Sequence, residues 1–112
     1  MLFAIGYHIH KDQQGIDRIS ELIKLYPNIT SITAVPTFGT NMIEAWFVET
    51  PDSKKKIEEF YLNKNNTNNW TQVNVSPYIT LVKDETKLTI SVLRKTNKNR
   101  IFFELSKKQS HL

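Results

Sequence analysis

Residues 29–49 have the sequence ITSITAVPTFGTNMIEAWFVE, which predicts two strands joined by a turn. Residues 29–35 are rich in β-branched side chains, which favour extended structure. Pro36 ends this first strand, and residues 39–41 (Gly-Thr-Asn) have the composition of a turn. Residues 42–49 then favour a second strand, so the whole segment predicts a β-hairpin.

A helix is predicted on each side of this hairpin. Before the hairpin, apolar side chains recur at helical spacing, and Pro27 ends the pattern. These side chains belong to Ile16, Ile19, Leu22, Ile23 and Tyr26. After the hairpin, Thr50 and Pro51 are typical of an N-cap and a first helical position. The buried stripe of this second helix is predicted to contain Ile57, Phe60 and Tyr61, with Leu62 as a further candidate.

The flanking segments complete the predicted topology. Residues 2–9 alternate between two largely apolar faces, which favours a central first strand, and residues 70–75 favour a fourth. The predicted fold class is therefore α+β, a ferredoxin-like βαββαβ sandwich with additional C-terminal β-strands. Residues 1–112 form a single domain in this interpretation, with residues 83–105 as an appended strand pair and residues 106–112 as a flexible tail.

Composition excludes several classes of function. The chain has 112 residues and no cysteine, so disulfides, thiolate metal sites and cysteine nucleophiles are excluded. Its apolar N-terminus is too short to span a membrane and lacks the features of a signal peptide. We therefore expect a cytoplasmic protein with no membrane partner. No motif implies a cofactor, and we expect none.

Charge is distributed unevenly along the chain. The net charge is +4, but residues 1–50 contain three Lys/Arg and five Asp/Glu, whereas residues 51–112 contain twelve and six. A basic second half favours a polyanion or an acidic protein surface as the partner. The alternative is that these charges serve only to keep the protein soluble.

Two basic runs are the candidate binding residues. The first occupies the start of the predicted second helix, where cations oppose the helix dipole. The second is a predicted turn beside Phe102 and Phe103, where lysines and arginines could grip phosphates while an aromatic ring stacks on a base. Together the runs contain Lys54, Lys55, Lys56, Arg94, Lys95, Lys98 and Arg100. The alternative is a solvated turn whose phenylalanines belong to the core.

A metal site is a further hypothesis. His8 and His10 are two residues apart on the predicted first strand, so their side chains share one face and could bind one metal ion. A third ligand is needed, and Asp12 or Glu44 could supply it only if the fold brings either close. The alternative is a pair of partly exposed histidines with no metal. No set of nucleophile and base is complete, so no catalytic residue is assigned.

Two short segments carry a resemblance to a known family. Residues 1–8, MLFAIGYH, resemble the opening strand of the small CRISPR-associated ferredoxin-like endonucleases and of their SinR-like and virulence-associated protein D relatives. Residues 45–50, AWFVET, are similar to the third strand and helix start of that family. The resemblance implies a homodimer, with strands after the fourth packing across to the partner. It also implies metal-dependent nuclease activity from an aspartate that closes the first strand, where this chain has His8.

These observations lead to three hypotheses from different classes. The first is a non-enzymatic binding module, a homodimer that contacts nucleic acid or a nucleic-acid-handling protein as an accessory of defence or of a mobile element. The second is a metal-dependent nuclease or toxin that uses the His8 and His10 region. The third is a protein inhibitor that docks through an exposed sheet edge.

Overall fold

The computed structural model describes residues 13–37, residue 39 and residues 41–107. Helix α1 occupies residues 13–22 of this part of the chain. It is followed by β1 (Ser31–Ala34), β2 (Met42–Thr50), α2 (Lys54–Leu62), a short 3-10 helix (Lys64–Asn66), β3 (Thr71–Asn74), β4 (Ile79–Lys83), β5 (Thr86–Lys95) and β6 (Lys98–Lys107). Within these ranges neither helix has the length and apolarity needed to cross a lipid bilayer.

The six described strands form one antiparallel sheet in the order β1-β2-β6-β5-β4-β3. The predicted hairpin is confirmed, with Ser31 opposite Glu49 and Ala34 opposite Trp46. Two helices and this sheet confirm the α+β class that the sequence predicts. The six strands exceed the four of a ferredoxin-like sandwich, and the ferredoxin-like arrangement is not confirmed.

The strand order explains this difference. In a ferredoxin-like sandwich the first strand lies beside the third, but both sides of β2 are occupied by β1 and β6. The predicted first strand, residues 2–9, lies outside the described residues. β5 and β6, which contain most of the predicted appended pair, lie in the middle of the described sheet. β6 also continues to Lys107, whose backbone N–H donates to the carbonyl of Asn41 at 2.7 Å, so the predicted tail region begins inside a strand.

The core lies between the helices and one face of the sheet. Tyr61 of α2 packs edge-on against Phe103 of β6, with ring centroids 5.7 Å apart. The indole N–H of Trp70 donates to the backbone carbonyl of Leu22 at 2.9 Å, which links the residue before β3 to the end of α1. The buried residues include most of the two helical stripes predicted from sequence, namely Ile19, Ile23, Tyr26, Ile57 and Tyr61, while Ile16, Leu22 and Phe60 pack against them partly buried. The further candidate Leu62 is 42% exposed and does not belong to the core.

Helix α2 begins three residues later than its sequence predicts. Thr50 is the last residue of β2, fully buried and paired with Asn99, because the β2–β6 register continues to that point. Ser53 is the N-cap instead, and its hydroxyl accepts a hydrogen bond from the backbone N–H of Lys56 at 3.2 Å. A serine side chain that satisfies a free N–H of the first turn is a favourable helix start.

The second face of the sheet, called here the open face, lies opposite the helices. Side chains alternate along a strand, so those that lie between the buried core residues of β2, β5 and β6 point to it. They include Ala45, Phe47, Glu49, Thr89, Ser91, Leu93, Lys95, Lys98, Arg100, Phe102 and Glu104. These side chains range from buried to exposed and mix aromatic, basic and acidic groups, whereas the buried residues that alternate with them are mostly apolar.

Candidate nucleic-acid interface

The two basic runs meet at one end of the molecule. The β5–β6 hairpin is tight, with Lys95 opposite Lys98 and only two residues between them. The side-chain amide of Asn99, which is 2% exposed, donates to the backbone carbonyl of Asp52 at 2.8 Å. Asp52 immediately precedes the N-cap of α2, so the hairpin and the first turn of α2 lie side by side. This region, called here the basic end, contains Lys54, Lys55, Lys56, Arg94, Lys95, Lys98 and Arg100.

The three lysines of α2 are all exposed. The Lys54 ammonium lies 3.9 Å from the Glu58 carboxylate, and the Lys56 ammonium lies 3.8 Å from Asp52. Lys55 has no ion-pair partner among the described residues. The lysines of both pairs are 59% and 68% exposed and their charges lie almost 4 Å from the carboxylates. Such pairs contribute between 0 and about 1 kcal/mol, so a phosphate could replace either carboxylate at little cost.

The second basic run is split between two faces rather than forming one flexible turn. Its members lie on strands, since β5 extends to Lys95 and β6 begins at Lys98. Lys95, Lys98 and Arg100 point to the open face. Arg94 is exposed on the helix side, opposite Asn99. The run therefore connects the open face with the lysines of α2.

A carboxylate that the sequence did not single out organises the open-face part of the basic end. Glu49 accepts from the Arg100 Nε at 2.7 Å, lies 2.9 Å from the Lys98 Nζ, and accepts from the Ser31 hydroxyl at 3.2 Å. Burial raises the pKa of Glu49, but the hydrogen bonds from Arg100, Lys98 and Ser31 outweigh burial and lower it to about 2. Lys98 and Arg100 thus share one negative charge, and this group keeps a net positive charge.

Two aromatic rings lie next to this group. Phe47 and Phe102 are cross-strand partners on the open face, with ring centroids 5.4 Å apart. The Arg100 guanidinium carbon lies 4.3 Å from the Phe47 centroid, within the range of a cation–π contact. The sequence placed Phe102 and Phe103 beside the basic turn. Phe103 is 1% exposed and belongs to the core, whereas Phe102 reaches the surface. In the sequence Phe47 lies between the apolar Trp46 and Val48, and this alternation could have predicted that Phe47 lies on the open face.

A separate polar cluster holds the start of α2 in place. The Tyr26 hydroxyl donates to Asp52, and the Asn28 amide donates to the same carboxylate at 2.9 Å. The Tyr26 hydrogen bond is the main cause that lowers the pKa of Asp52, and Asn28 and Lys56 add to it against the effect of burial. Burial and the Asp52 contact raise the pKa of Tyr26. Tyr26 and Asn28 thus each donate to one oxygen of the Asp52 carboxylate, which links the segment after α1 to the start of α2.

The sheet has two described edge strands, β1 and β3. Every residue of β3 is exposed. Val73, Val75 and Tyr78 are 57%, 47% and 52% exposed, which is unusual for large apolar side chains. Residues 65–82 contain no charged side chain, although charges commonly protect an edge strand from pairing. β5 and β6 are each paired on both sides, so their backbones offer no free edge to a second copy.

The predicted metal site is not resolved by this geometry. His8, His10 and Asp12 lie outside the described residues. Glu44, the other proposed ligand, forms an ion pair with Arg18, whose Nε lies 2.7 Å away. In the part of the chain that the structure covers, no group of three or more metal-ligating side chains comes together.

No protein-family model, curated protein sequence or solved structure matches this chain.

Proposed function

We propose that this protein is a small, non-enzymatic nucleic-acid-binding module that holds phosphates with its basic end. One observation carries this proposal: two basic runs far apart in the sequence are brought together by the Asn99–Asp52 hydrogen bond. This end contains seven cationic side chains and four carboxylates, those of Glu49, Asp52, Glu58 and Glu59. A surface with excess positive charge attracts a polyanion and speeds its association. Nucleic acid as the ligand also fits the expected cytoplasmic location.

The cations differ in how freely they can reach a phosphate. Lys55, Arg94 and Lys95 are exposed and have no ion-pair partner among the described residues, so they can bind phosphate without breaking any contact. Lys98 and Arg100 are 43% and 29% exposed and are held by Glu49. We therefore expect a modest number of phosphate contacts, about three to five, and a logarithmic salt slope of about −2 to −4 on single strands.

Fluorescence anisotropy with labelled oligonucleotides over a range of salt concentrations tests the proposal. The test variant combines four substitutions to alanine, at Arg94, Lys95, Lys98 and Arg100. We expect weaker binding to every sequence and a salt slope that is shallower by about one for each lost phosphate contact. The matched control removes four positive charges elsewhere, by alanine substitutions at Lys64, Lys83, Lys87 and Lys107.

The comparison of these two variants decides the outcome because both change the net charge from +4 to neutral. Equal weakening in both would show a general charge effect and would refute the assignment of the basic end. The same wild-type protein should also be incubated with nucleic acid and Mg²⁺ or Mn²⁺. Metal-stimulated cleavage that is lost in His8→Ala would replace the proposal by the nuclease hypothesis.

The edge strand β3 favours a second candidate function, docking by strand addition. Its exposed Val73 and the uncharged segment 65–82 could pair with a strand of a partner protein or with β3 of a second copy. A second copy would give the homodimer expected from the sequence, and two basic proteins would meet at a surface without charge. The bulge between Gln72 and Asn74 weakens such pairing but leaves Val73 exposed. Sedimentation velocity tests this candidate, since strand addition should depend little on salt.

A further inference from the structure

We infer that the open face next to the basic end is a base-stacking platform, so that the protein binds single strands in preference to duplexes. This inference rests on the proposed function and specifies its ligand. The platform consists of Phe47, Phe102 and Arg100. Each lies on β2 or β6, which are neighbours in the described sheet and pair from Met42 opposite Ser106 to Thr50 opposite Asn99.

The two phenylalanines form a continuous aromatic surface. They are direct cross-strand partners, their centroids are 5.4 Å apart, and their planes are inclined by 49°. Both are only partly buried, whereas the neighbouring Trp46 and Phe103 are 5% and 1% exposed in the core. Partly exposed aromatic rings on a sheet face are the surfaces on which proteins stack unpaired bases.

Arg100 adds its planar, positively charged guanidinium to this surface. Its guanidinium lies 4.3 Å from the Phe47 centroid, and its Nε donates to Glu49 at 2.7 Å, so two contacts hold its orientation. Among the described residues its terminal nitrogens have no acceptor, and the side chain is 29% exposed. A guanidinium in this position can stack under a base or donate to a phosphate.

The charges around the platform favour nucleic acid as the occupant. Lys95 and Lys98 are cross-strand partners on the open face, and Lys98 lies two residues before Arg100 on β6. From there they can contact the phosphates of a nucleic-acid strand whose bases lie on the two rings. A protein partner with an apolar surface would have to desolvate Arg100, Lys98 and Glu49 together, which is costly. A duplex keeps its bases stacked inside, so only its phosphates could be used.

Anisotropy with a labelled 15-nucleotide oligo(dT) strand and with a duplex of equal length tests the inference. We expect the wild-type protein to bind the single strand more tightly. Phe102→Leu keeps an apolar side chain but removes the ring, so it should weaken single-strand binding about tenfold. The affinity for the duplex should stay within about twofold of wild type. The salt slope should be unchanged, because no phosphate contact is lost. The matched control is Tyr78→Leu, which removes an exposed ring outside the platform.

A second variant keeps the test independent of any packing defect at Phe102. Arg100→Lys preserves the charge but loses the planar group, and it should reduce the preference for single strands with the salt slope unchanged. Urea denaturation of each variant shows whether it remains folded.

The outcomes separate the inference from the proposed function. If neither Phe102→Leu nor Arg100→Lys changes single-strand binding while the four-alanine variant of the basic end weakens it, the platform is refuted and the proposed function stands. If the wild-type protein binds neither oligonucleotide at the lowest salt concentration, both are refuted. If Phe102→Leu instead changes the sedimentation coefficient and leaves binding intact, a second copy occupies the open face and the platform is overturned.

Discussion

Replacing Glu49 by glutamine removes the one negative charge that Lys98 and Arg100 share. The Glu49 side chain is 11% exposed, and the pKa of its carboxyl group is lowered from 4.5 to about 2. A shift of that size corresponds to about 3 kcal/mol of stability in the ionised state. Lys98 and Arg100 are 43% and 29% exposed, so solvent screens their attraction. We therefore expect Glu49→Gln to lower the free energy of unfolding by about 1–2 kcal/mol at pH 7.

The sign of the pH dependence follows from the direction of the shift. Because the pKa of Glu49 in the folded protein lies below its value in the unfolded chain, the carboxylate stabilises the fold above about pH 4.5. This contribution is lost as the pH falls from 4.5 toward 2. The difference in stability between wild type and Glu49→Gln should accordingly shrink over this range.

Urea denaturation at pH 7, 4.5 and 3 measures this difference, and a thermal scan at pH 7 should show a loss of about 4–8 °C. Glu104→Gln is the matched control, since Glu104 is a carboxylate on the open face of β6 that forms no ion pair with a described residue. It should change stability by no more than about 0.5 kcal/mol. A difference for Glu49→Gln that stays constant from pH 7 to pH 3 would show that the ion pairs with Glu49 do not stabilise the fold.

Three further predictions concern the elements that shape the basic end and the sheet edge. Asn99→Ala leaves the Asp52 carbonyl without its donor and should cost about 1–3 kcal/mol in urea denaturation, with weaker oligonucleotide binding as the basic runs separate. Ser53→Ala removes the N-cap bond to Lys56 and should cost about 1 kcal/mol, whereas a smaller loss than about 0.3 kcal/mol would contradict that cap. Val73→Lys should leave stability within about 0.5 kcal/mol and abolish any self-association seen by sedimentation.

Local patterns were sufficient for the hairpin and for most of both helix stripes. Residues 29–49 contain two strand segments with a turn between them, and this information is local, so the β1–β2 pairing followed from it. The start of α2 did not follow, because Thr50 has the composition of a cap but is retained in β2 by its pairing with Asn99. A residue almost fifty positions away competed with the local signal, and the longer register determined the result.

The order of strands was less accessible for a similar reason. Residues 83–105 contain alternating apolar side chains, which predict strands but not their neighbours. Their central place in the described sheet depends on β6 pairing with β2 as well as with β5. An alternating pattern does not distinguish a central antiparallel strand from an edge strand when its second face is half-buried, as it is in both β5 and β6.

The candidate site shows what composition can and cannot predict. Density of charge located both basic runs, but it did not show that the run at 94–100 would divide between two faces, since that depends on the strands extending to Lys95 and from Lys98. Glu49 carries no local signal because its partner Arg100 is 51 residues away. Whether a cation is free or already paired is a property of the folded sheet.

The position of Glu49 can be used to separate phosphate binding from base stacking. A carboxylate within a phosphate-binding surface repels the ligand, and its removal in Glu49→Gln should tighten duplex binding and steepen the salt slope. The same substitution weakens the hydrogen bond from the Arg100 Nε, because an amide oxygen is a poorer acceptor than a carboxylate, so one of the two contacts that hold the guanidinium beside Phe47 becomes weaker. Single-strand binding should therefore gain less than duplex binding, and the preference for single strands should fall. If Glu49→Gln strengthened both ligands equally in the anisotropy assay, the carboxylate would act only as a charge, and the orientation of Arg100 would have no part in selecting the ligand.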